Sequence, residues 1–333
     1  MITTGAIAGV ATTGGLAMPD VVTFGESMAL FRTDPAESLR TAHRFSRSIA
    51  GAESNVAIGL SRLGCRAGWF GRVGDDPLGL GILDTLRAEG VDVSRAIVDD
   101  AAPTGVLVRD THAERRIEVV YARAGSAGSR LSLSDLDETY LLSARVLHVT
   151  GITPALSHSA REMTAAAVRL AADAGVTVCF DPNLRRRLWP DVDEMRRTLL
   201  PLVERSHIVL LGHAEARLLT EQEDPGAAAQ WLAQRGVTTV AVKLGADGAL
   251  GLHDGGTYYG AALKVHPADP IGAGDAFDAG FLSAWLRGLA MADCVDEGNL
   301  AAGLSVQVCG DIEGLPYRRE IDERRANNLE ANR

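Results

Sequence analysis

The sequence predicts an α/β protein with a mostly parallel sheet, helices on both faces, and a small β flap. Three observations carry this. From Asp20 onward short β-rich runs alternate with amphipathic stretches, the rhythm of βα units whose crossovers cover a parallel sheet with helices. Residues 103–123 break that rhythm with two β runs around a polar turn and no helix directly after them, a hairpin pattern that such a sheet does not readily absorb. The chain has 333 residues, 46% hydrophobic and 23% charged, a globular composition long enough to bury a sizeable core. This length fits one large α/β domain with an appendage, or two modest domains, and the composition excludes a disordered or fibrous chain.

The elements follow in order. Residues 1–19 carry no charge, but they lack a basic start, and four Thr and four Gly interrupt any apolar core. They are therefore no signal peptide and read as a disordered extension, with Met18 a candidate start. Val21–Gly25 is a strand entering a loop. Leu30–Ile49 is strand-like and polar and joins the flap. Ser54–Leu63 carries apolar residues at 56, 57, 60 and 63, a helical spacing, and stops at Gly64. Gly68–Val73 is a strand, and Pro77–Glu89 a helix with Pro near its start and Gly90 behind it. Gly105–Arg109 and Arg116–Tyr121 form the flap hairpin around Asp110–Glu114. Val146–Val149, Val176–Phe180, His207–Leu211 and Thr239–Lys243 are apolar runs of buried-strand type, separated by helices Ser159–Ala174, Val192–Glu204 and Gly226–Arg235. Gly274–Leu289 and Val295–Cys309 are helical, and the charged Arg318–Arg333 is a tail expected to fray. The expected division is an extension over 1–19, one domain over 20–320 with its flap from about 30–49 and 103–123, and a tail over 321–333.

The formal net charge is -10, which argues against a nucleic-acid partner or an anionic membrane surface. No apolar run is long enough to span a bilayer. Any anionic ligand must be met by local Arg, Lys and backbone N–H groups. Glycine, at 36 residues, exceeds the usual share of roughly 7%, consistent with tight turns and loops where backbone approaches a ligand. Cys65, Cys179, Cys294 and Cys309 form no CxxC pair and sit in apolar surroundings. They read as reduced thiols of a cytoplasmic protein, not as a zinc site or disulfide framework.

Five segments could carry chemistry. Asp269-Pro270-Ile271-Gly272-Ala273-Gly274-Asp275 opens a helical apolar pattern. Small residues at a helix start leave N–H groups bare at the positive end of the helix dipole, an anion site. Asp275 beside it supplies a base, and phosphoryl transfer to an alcohol needs that pair: the base takes the hydroxyl proton and the amides hold the phosphoryl group. As a bare pattern it is equally a Gly-rich turn with an ordinary first-turn Asp. It is no Walker A loop, because no GK[ST] follows. Lys243-Leu244-Gly245-Ala246-Asp247-Gly248 is a β-turn that could lie against a nucleotide. Ala50-Gly51-Ala52-Glu53-Ser54-Asn55 offers close backbone approach at Gly51 and an amide at Asn55 that both donates and accepts; the plainer reading makes Ser54 or Asn55 a helix cap. Asp181-Pro182-Asn183-Leu184-Arg185 follows a buried strand, and ligands of open α/β sheets lie beyond the carboxyl ends of strands, which places Asn183 and Arg185 for phosphate or carboxylate contact; a strand-ending turn with a solvated Arg reads equally well. Finally, Tyr121 and Arg123 share one face by the period of two, an arrangement suited to a small hydroxylated acid, though an exposed edge-strand Arg reads the same way.

These five pieces, in this order, resemble the PfkB or ribokinase-like carbohydrate kinases, over roughly residues 20–320. The amino-terminal signature is similar to Ala50-Gly51 through Ala57, continuing as Leu63-Gly64 and Gly71-Arg72-Val73-Gly74-Asp75-Asp76 with Gly79, and the carboxy-terminal one to Asp269–Asp275. Within the family the likeness is to 2-keto-3-deoxygluconate kinases, on Tyr121–Ala127, Gly151–Leu156, Asp181–Arg185 with Leu188-Trp189, and Gly310-Asp311-Ile312-Glu313-Gly314.

The resemblance implies a three-layer α/β/α sandwich with a β lid, and ATP-dependent phosphorylation of the terminal hydroxyl of a small sugar acid, 2-keto-3-deoxygluconate, with Mg2+. It implies Asp275 as catalytic base with Gly272, Ala273 and Gly274 as the anion hole. Substrate falls to Gly51, Asn55, Tyr121, Arg123, Arg185, Asp275 and Asp311. The nucleotide falls to Asn183, Lys243–Gly248, Gly272–Gly274 and Asn299. It also implies a homodimer or larger homo-oligomer through the lid. Two departures stand out. The family's Asn-x-x-Glu segment, linked to magnesium, is Gly212-His213-Ala214-Glu215 here, so Glu215 is kept as an indirect metal contact without its Asn. The usual Asp-Thr is Asp269-Pro270, which argues against a family-type monovalent-cation site there. A kinase of a neutral sugar such as fructose or ribose is the first alternative, opposed by the Arg123 and Arg185 pair. A non-catalytic sugar- or nucleotide-binding regulator is the second, opposed by Asp275 and the anion hole. A Rossmann dehydrogenase lacks its GxGxxG after the first strand.

Overall fold

Among the described residues fourteen strands, read from a computed structural model, build three sheets. The structure describes residues 18–35, 37–111 and 117–331, without side chains for 327–331. The extension at 1–17 and most of the turn expected at Asp110–Glu114 lie outside the described residues. In chain order the strands are β1 (Val21–Phe24), β2 (Met28–Thr33), β3 (Phe45–Ala50), β4 (Ala67–Phe70), β5 (Arg72–Gly74), β6 (Ile97–Asp99) and β7 (Val106–Arg109). They continue as β8 (Val119–Ala122), β9 (Val146–Thr150), β10 (Thr177–Asp181), β11 (Ile208–Gly212), β12 (Thr239–Lys243), β13 (Ala249–His253) and β14 (Gly256–Gly260).

The large sheet has the order β14-β13-β12-β11-β10-β9-β1-β4. It is parallel from β12 to β4 and antiparallel at the β12-β13-β14 edge. Alternate side chains of its central strands go to two different cores, as the pleat requires. Val21, Val146, Cys179, Ile208 and Ala241 pack with helices Ala52–Arg62, Pro77–Ala88, Ala273–Leu286 and Met291–Ser305. Val22, Leu147, Val178, Val209 and Val240 pack with helices His158–Asp173, Val192–Val203, His213–Thr220 and Pro225–Ala233. Both faces are therefore dry, which is why these strands read as continuous apolar runs.

A four-stranded sheet, β3-β2-β7-β8, has its own small core of Met28, Leu30, Ala50 and Leu107. β8 is its open edge, with Val120 58% and Tyr121 40% exposed.

Three features differ from the sequence reading. The run Gly68–Val73 is two strands: it breaks at Gly71, where a Cβ would stand 2.3 Å from the Gly25 carbonyl oxygen, and β5 leaves the large sheet to pair with β6. The β13-β14 hairpin turns on Asp254-Gly255, both at positive φ (47° and 77°), a two-residue primed turn whose Asp-Gly is legible in the sequence. The charged C-terminal stretch is helical, Arg318–Ala331. It is anchored by Arg318 Nη2, 2.7 Å from Glu297 Oε1, and Arg325 Nη2, 3.2 Å from Glu297 Oε2, with that carboxylate fully buried.

Helices Ala52–Arg62 and Ala273–Leu286 cross closely because Gly59 faces Ala279, where an added Cβ would come within 2.6 Å of the Ala279 Cβ. Overpacking a tight contact costs about 1–3 kcal/mol. Gly59→Val should therefore lose about that much stability in urea unfolding; a variant as stable as the wild type would show that the helices separate freely here.

Candidate active site

A cavity of about 460 Å³ opens at the C-terminal ends of the central parallel strands, where ligands of open α/β sheets bind. The four-stranded sheet forms its other wall through Met28, Leu107, Arg109, Val119, Tyr121 and, just after β8, Arg123.

Its floor is the start of helix Ala273–Leu286. The N-cap is Gly272, left-handed at φ 82°, and no side chain caps the helix. An added Cβ at Gly272 would also fall 2.8 Å from the Asp311 carbonyl oxygen, so both conformation and space demand glycine. Gly274 differs: a Cβ there would meet only Lys243 Nζ, at 3.6 Å. Packing does not require glycine at 274, and its bareness leaves room on the cavity side. First-turn amides at the positive end of the dipole are an anion site.

Asp275 lies in this first turn and is 7% exposed. Asn55 Nδ2 donates to its Oδ2 (2.8 Å) and Asn183 Nδ2 to its Oδ1 (3.3 Å). Burial pushes its pKa above the usual carboxylate value, opposed by the Asn55 hydrogen bond and the nearby Arg185 charge. The sequence reading assigned Asn183 to the nucleotide; the fold puts its amide on Asp275. Asn183 is left-handed (φ 40°), a conformation Asn tolerates, and its backbone N–H donates to Asp181 Oδ1 at 2.9 Å. Ser54 and Asn55 do not cap their helix: Gly51 is the N-cap. A Cβ at Gly51 would stand 2.5 Å from the Glu26 carbonyl oxygen, so close backbone approach there serves packing as well as the cavity.

Below the cradle Lys243 Nζ sits 3.1 Å from Asp181 Oδ2 and 3.0 Å from Asp278 Oδ1. Burial alone would lower the lysine's pKa, but the two carboxylates hold it well above its usual value. Asp278 was missed in the sequence, although Asp275-x-x-Asp278 is a one-turn spacing on the helix that opens the site. Burial drives its pKa well above normal. Of the Lys243–Gly248 segment, Lys243 and Gly245 line the cavity and Leu244, Ala246, Asp247 and Gly248 do not. Gly248 (φ 107°) is needed where a Cβ would meet the Gly260 carbonyl oxygen at 2.0 Å. Asn299 is also absent from the lining; its Nδ2 donates to that Gly260 oxygen at 2.8 Å.

Glu215 spends both oxygens on backbone. Oε1 accepts from Leu184 N (2.6 Å) and Oε2 from Gly212 N (2.7 Å), bracing the loop that carries Asn183 and Arg185. Among the described residues no group of three or more His, Cys, Asp or Glu is arranged to hold a metal.

The cationic side of the cavity is partly neutralised. Arg123 pairs with the buried Glu26, which also accepts from Ser126 Oγ, and its guanidinium carbon lies 5.6 Å from the Tyr121 ring centroid. Glu26 was not singled out in the sequence. Arg185 is exposed and makes no ion pair with another described residue. Asp311, expected on the substrate, pairs with Arg109 Nη2 at 3.0 Å, and burial lifts its pKa to about 6. Asp269 pairs with the same nitrogen at 2.7 Å, so the carboxylate beside Pro270 already has a cation. Glu53 also lines the cavity. Its Oε1 accepts from Thr150 and Thr153 hydroxyls (2.6 and 2.8 Å), and its buried Oε2 has no partner among the described residues.

A family model described as "pfkB family carbohydrate kinase" matches residues 18–318. A 2-dehydro-3-deoxygluconokinase of Bacillus subtilis (strain 168) is 42% identical over 306 residues, 91% of this chain and 94% of that one. A protein of the same name from Thermoproteus tenax is 38% identical over 310 residues, 92% and 94% of the two chains. The solved structure of a PfkB protein from Polaromonas sp. JS666 superposes with a TM-score of 0.84 at 39% identity, covering 91% of this chain and 99% of that one.

The Glu53 environment makes a pH prediction. Burial raises its pKa from 4.5 to about 7. Between those values the folded chain holds a proton that the unfolded chain has released, so stability falls as pH rises; above pH 7 the penalty is complete. Glu53→Gln removes this titration. The stability of the variant minus that of the wild type should climb across this window at of order 1 kcal/mol per pH unit, then level off. Urea unfolding at pH 5 and pH 8 measures it; a pH-independent difference would contradict the assignment.

Proposed function

Because the chain belongs to the pfkB family of carbohydrate kinases, we propose that it transfers the γ-phosphoryl group of ATP to the terminal hydroxyl of 2-keto-3-deoxygluconate. The observation that carries the reading is a buried carboxylate, Asp275, on the first turn of a helix whose N-terminus no side chain caps, at the floor of a cavity. In this reading Asp275 takes the hydroxyl proton, and its raised pKa brings it nearer the operating range of a general base. The amides of Gly272–Gly274 hold the transferring group. Lys243 adds a fixed positive charge beneath it. Asn55 and Asn183 aim the Asp275 carboxylate. Mg2+ would be carried on the nucleotide phosphates, and Glu215, whose oxygens also brace the loop of Asn183 and Arg185, would be its indirect contact. Arg185, with Tyr121 and Arg123 behind it, receives the sugar-acid carboxylate.

A second reading rests on the Glu26–Arg123 pair. With Arg123 neutralised, the cavity accommodates a neutral hexose better than the sequence implied. ADP release measured with 2-keto-3-deoxygluconate, fructose and ribose separates the two: a large kcat/KM preference for the acid supports the first, and parity or better with a neutral sugar supports the second. The exposed β8 edge supports pairing of two chains through the four-stranded sheet, and four free cysteines support a reducing compartment, the cytoplasm.

Asp275→Asn should fold, because Asn55 can turn its amide to face the new side chain. Turnover should fall by ~10²–10⁴-fold while ADP still binds by calorimetry; near-normal turnover would remove Asp275 from the role of base.

Arg185→Met should leave stability near wild type, since the side chain is exposed. A charge-assisted hydrogen bond is worth roughly 1.5–3 kcal/mol, so KM for the acid should rise about tenfold to a hundredfold with KM for ATP little changed. An unchanged KM for the acid would place its carboxylate elsewhere.

A further inference from the structure

Arg109 closes the inward face of β7. It follows Leu107 at the period of two, both line the cavity, and its side chain is 1% exposed. An apolar residue there would continue the small core of the β3-β2-β7-β8 sheet. Instead the strand buries a guanidinium, whose Nη2 lies 2.7 Å from Asp269 Oδ2 and 3.0 Å from Asp311 Oδ1. A buried ion cluster stabilises no better than apolar packing of the same volume in many cases, so its use must be sought in what it places.

Each carboxylate it grips is tied to the Gly272 turn. Asp269 Oδ1 accepts from Ile271 N (3.2 Å), its Oδ2 accepts from Gly310 N (3.0 Å), and the Asp311 carbonyl oxygen packs against Gly272, 2.8 Å from where a Cβ would stand. The segment entering the cradle and the segment backing it thus meet at one nitrogen, and that nitrogen belongs to the other sheet. We propose that Arg109 is a positioning residue: held between Asp269 and Asp311, it sets the turn that presents the Gly272–Gly274 amides, so that the phosphoryl-holding geometry depends on where the four-stranded sheet sits. This rests on the reading of those amides as the phosphoryl cradle. In this proposal Arg109 acts not on a reactant but through the backbone that Asp269 and Asp311 hold.

The test compares wild type, Arg109→Met, Asp269→Asn and the double variant, each below its unfolding temperature. Transfer is measured to whichever sugar the wild type accepts, or to water if it accepts none. Rejection of 2-keto-3-deoxygluconate by the wild type therefore counts against the substrate reading and leaves this comparison intact. A displaced cradle costs transition-state contacts, so Arg109→Met should lower kcat by ~10–100-fold with KM for ATP within about twofold, and the double variant should be no worse than the poorer single one. If Arg109→Met does not fold, Arg109→Lys, which keeps the charge on a shorter side chain that falls short of the Nη2 position between the two carboxylates, is read in the same way. A kcat within about twofold of wild type, a change confined to KM, or additive losses in the double variant would each overturn the proposal.

Discussion

A carboxylate taken out of water must be met by donors or by opposite charge, and the arrangement around Asp275 follows from that requirement. Asn55 and Asn183 approach it from two elements far apart in the chain, at 2.8 and 3.3 Å. For Asn55 to reach, helix Ala52–Arg62 must lie tight against helix Ala273–Leu286, which Gly59 permits. For Asn183 to reach, the loop after β10 must turn through a left-handed residue, and Glu215 holds that loop by its backbone. The raised pKa of Asp275 is the consequence: neutral amide donors orient the group without cancelling the cost of its burial.

The remaining charges obey the same rule by another route. Lys243 lies between Asp181 and Asp278, Arg109 between Asp269 and Asp311, and Arg123 beside Glu26. Each of these cations is matched locally, so in a chain with net charge -10 the cavity presents no broad positive surface. What remains for a ligand is the uncapped helix start and the exposed Arg185. Under the proposed function, a site built this way meets anions at particular points and not over a broad positive surface.

The two sheets divide the work. The large sheet is dry on both faces and carries Asp181, Lys243 and the braced loop at its strand ends. The four-stranded sheet has a small core and an exposed edge, and it meets the rest of the fold both through Ile49, which packs in a core of the large sheet, and through the ion pairs of Arg109 with Asp269 and Asp311. If Arg109 positions the Gly272 turn as proposed, the geometry of the proposed phosphoryl cradle is tied to the placement of the four-stranded sheet.

The sequence by itself determined the layer architecture. Apolar runs of strand length separated by helical periods leave few alternatives to a covered parallel sheet, and Gly272-Ala273-Gly274-Asp275 marks a helix start with or without tertiary contacts. The Asp254-Gly255 hairpin and the one-turn spacing of Asp275 and Asp278 were also legible, because local chemistry decides them. Tertiary structure alone decided which charges meet. Arg109 and Asp269 are 160 positions apart, and Arg123 reads as either a substrate contact or an exposed edge residue, with Glu26 beside it only in the fold. Asn183 reads from the chain as a contact for phosphate or carboxylate, and by resemblance for the nucleotide, yet its amide reaches Asp275. Leu244, Ala246–Gly248 and Asn299 belong to the right neighbourhood of the sequence but not to the cavity wall. Periodicity reports which face a side chain takes on its own element; partners across elements are set by register, crossing distance and the cost of leaving a buried charge unmatched, and those exist only once the chain has folded.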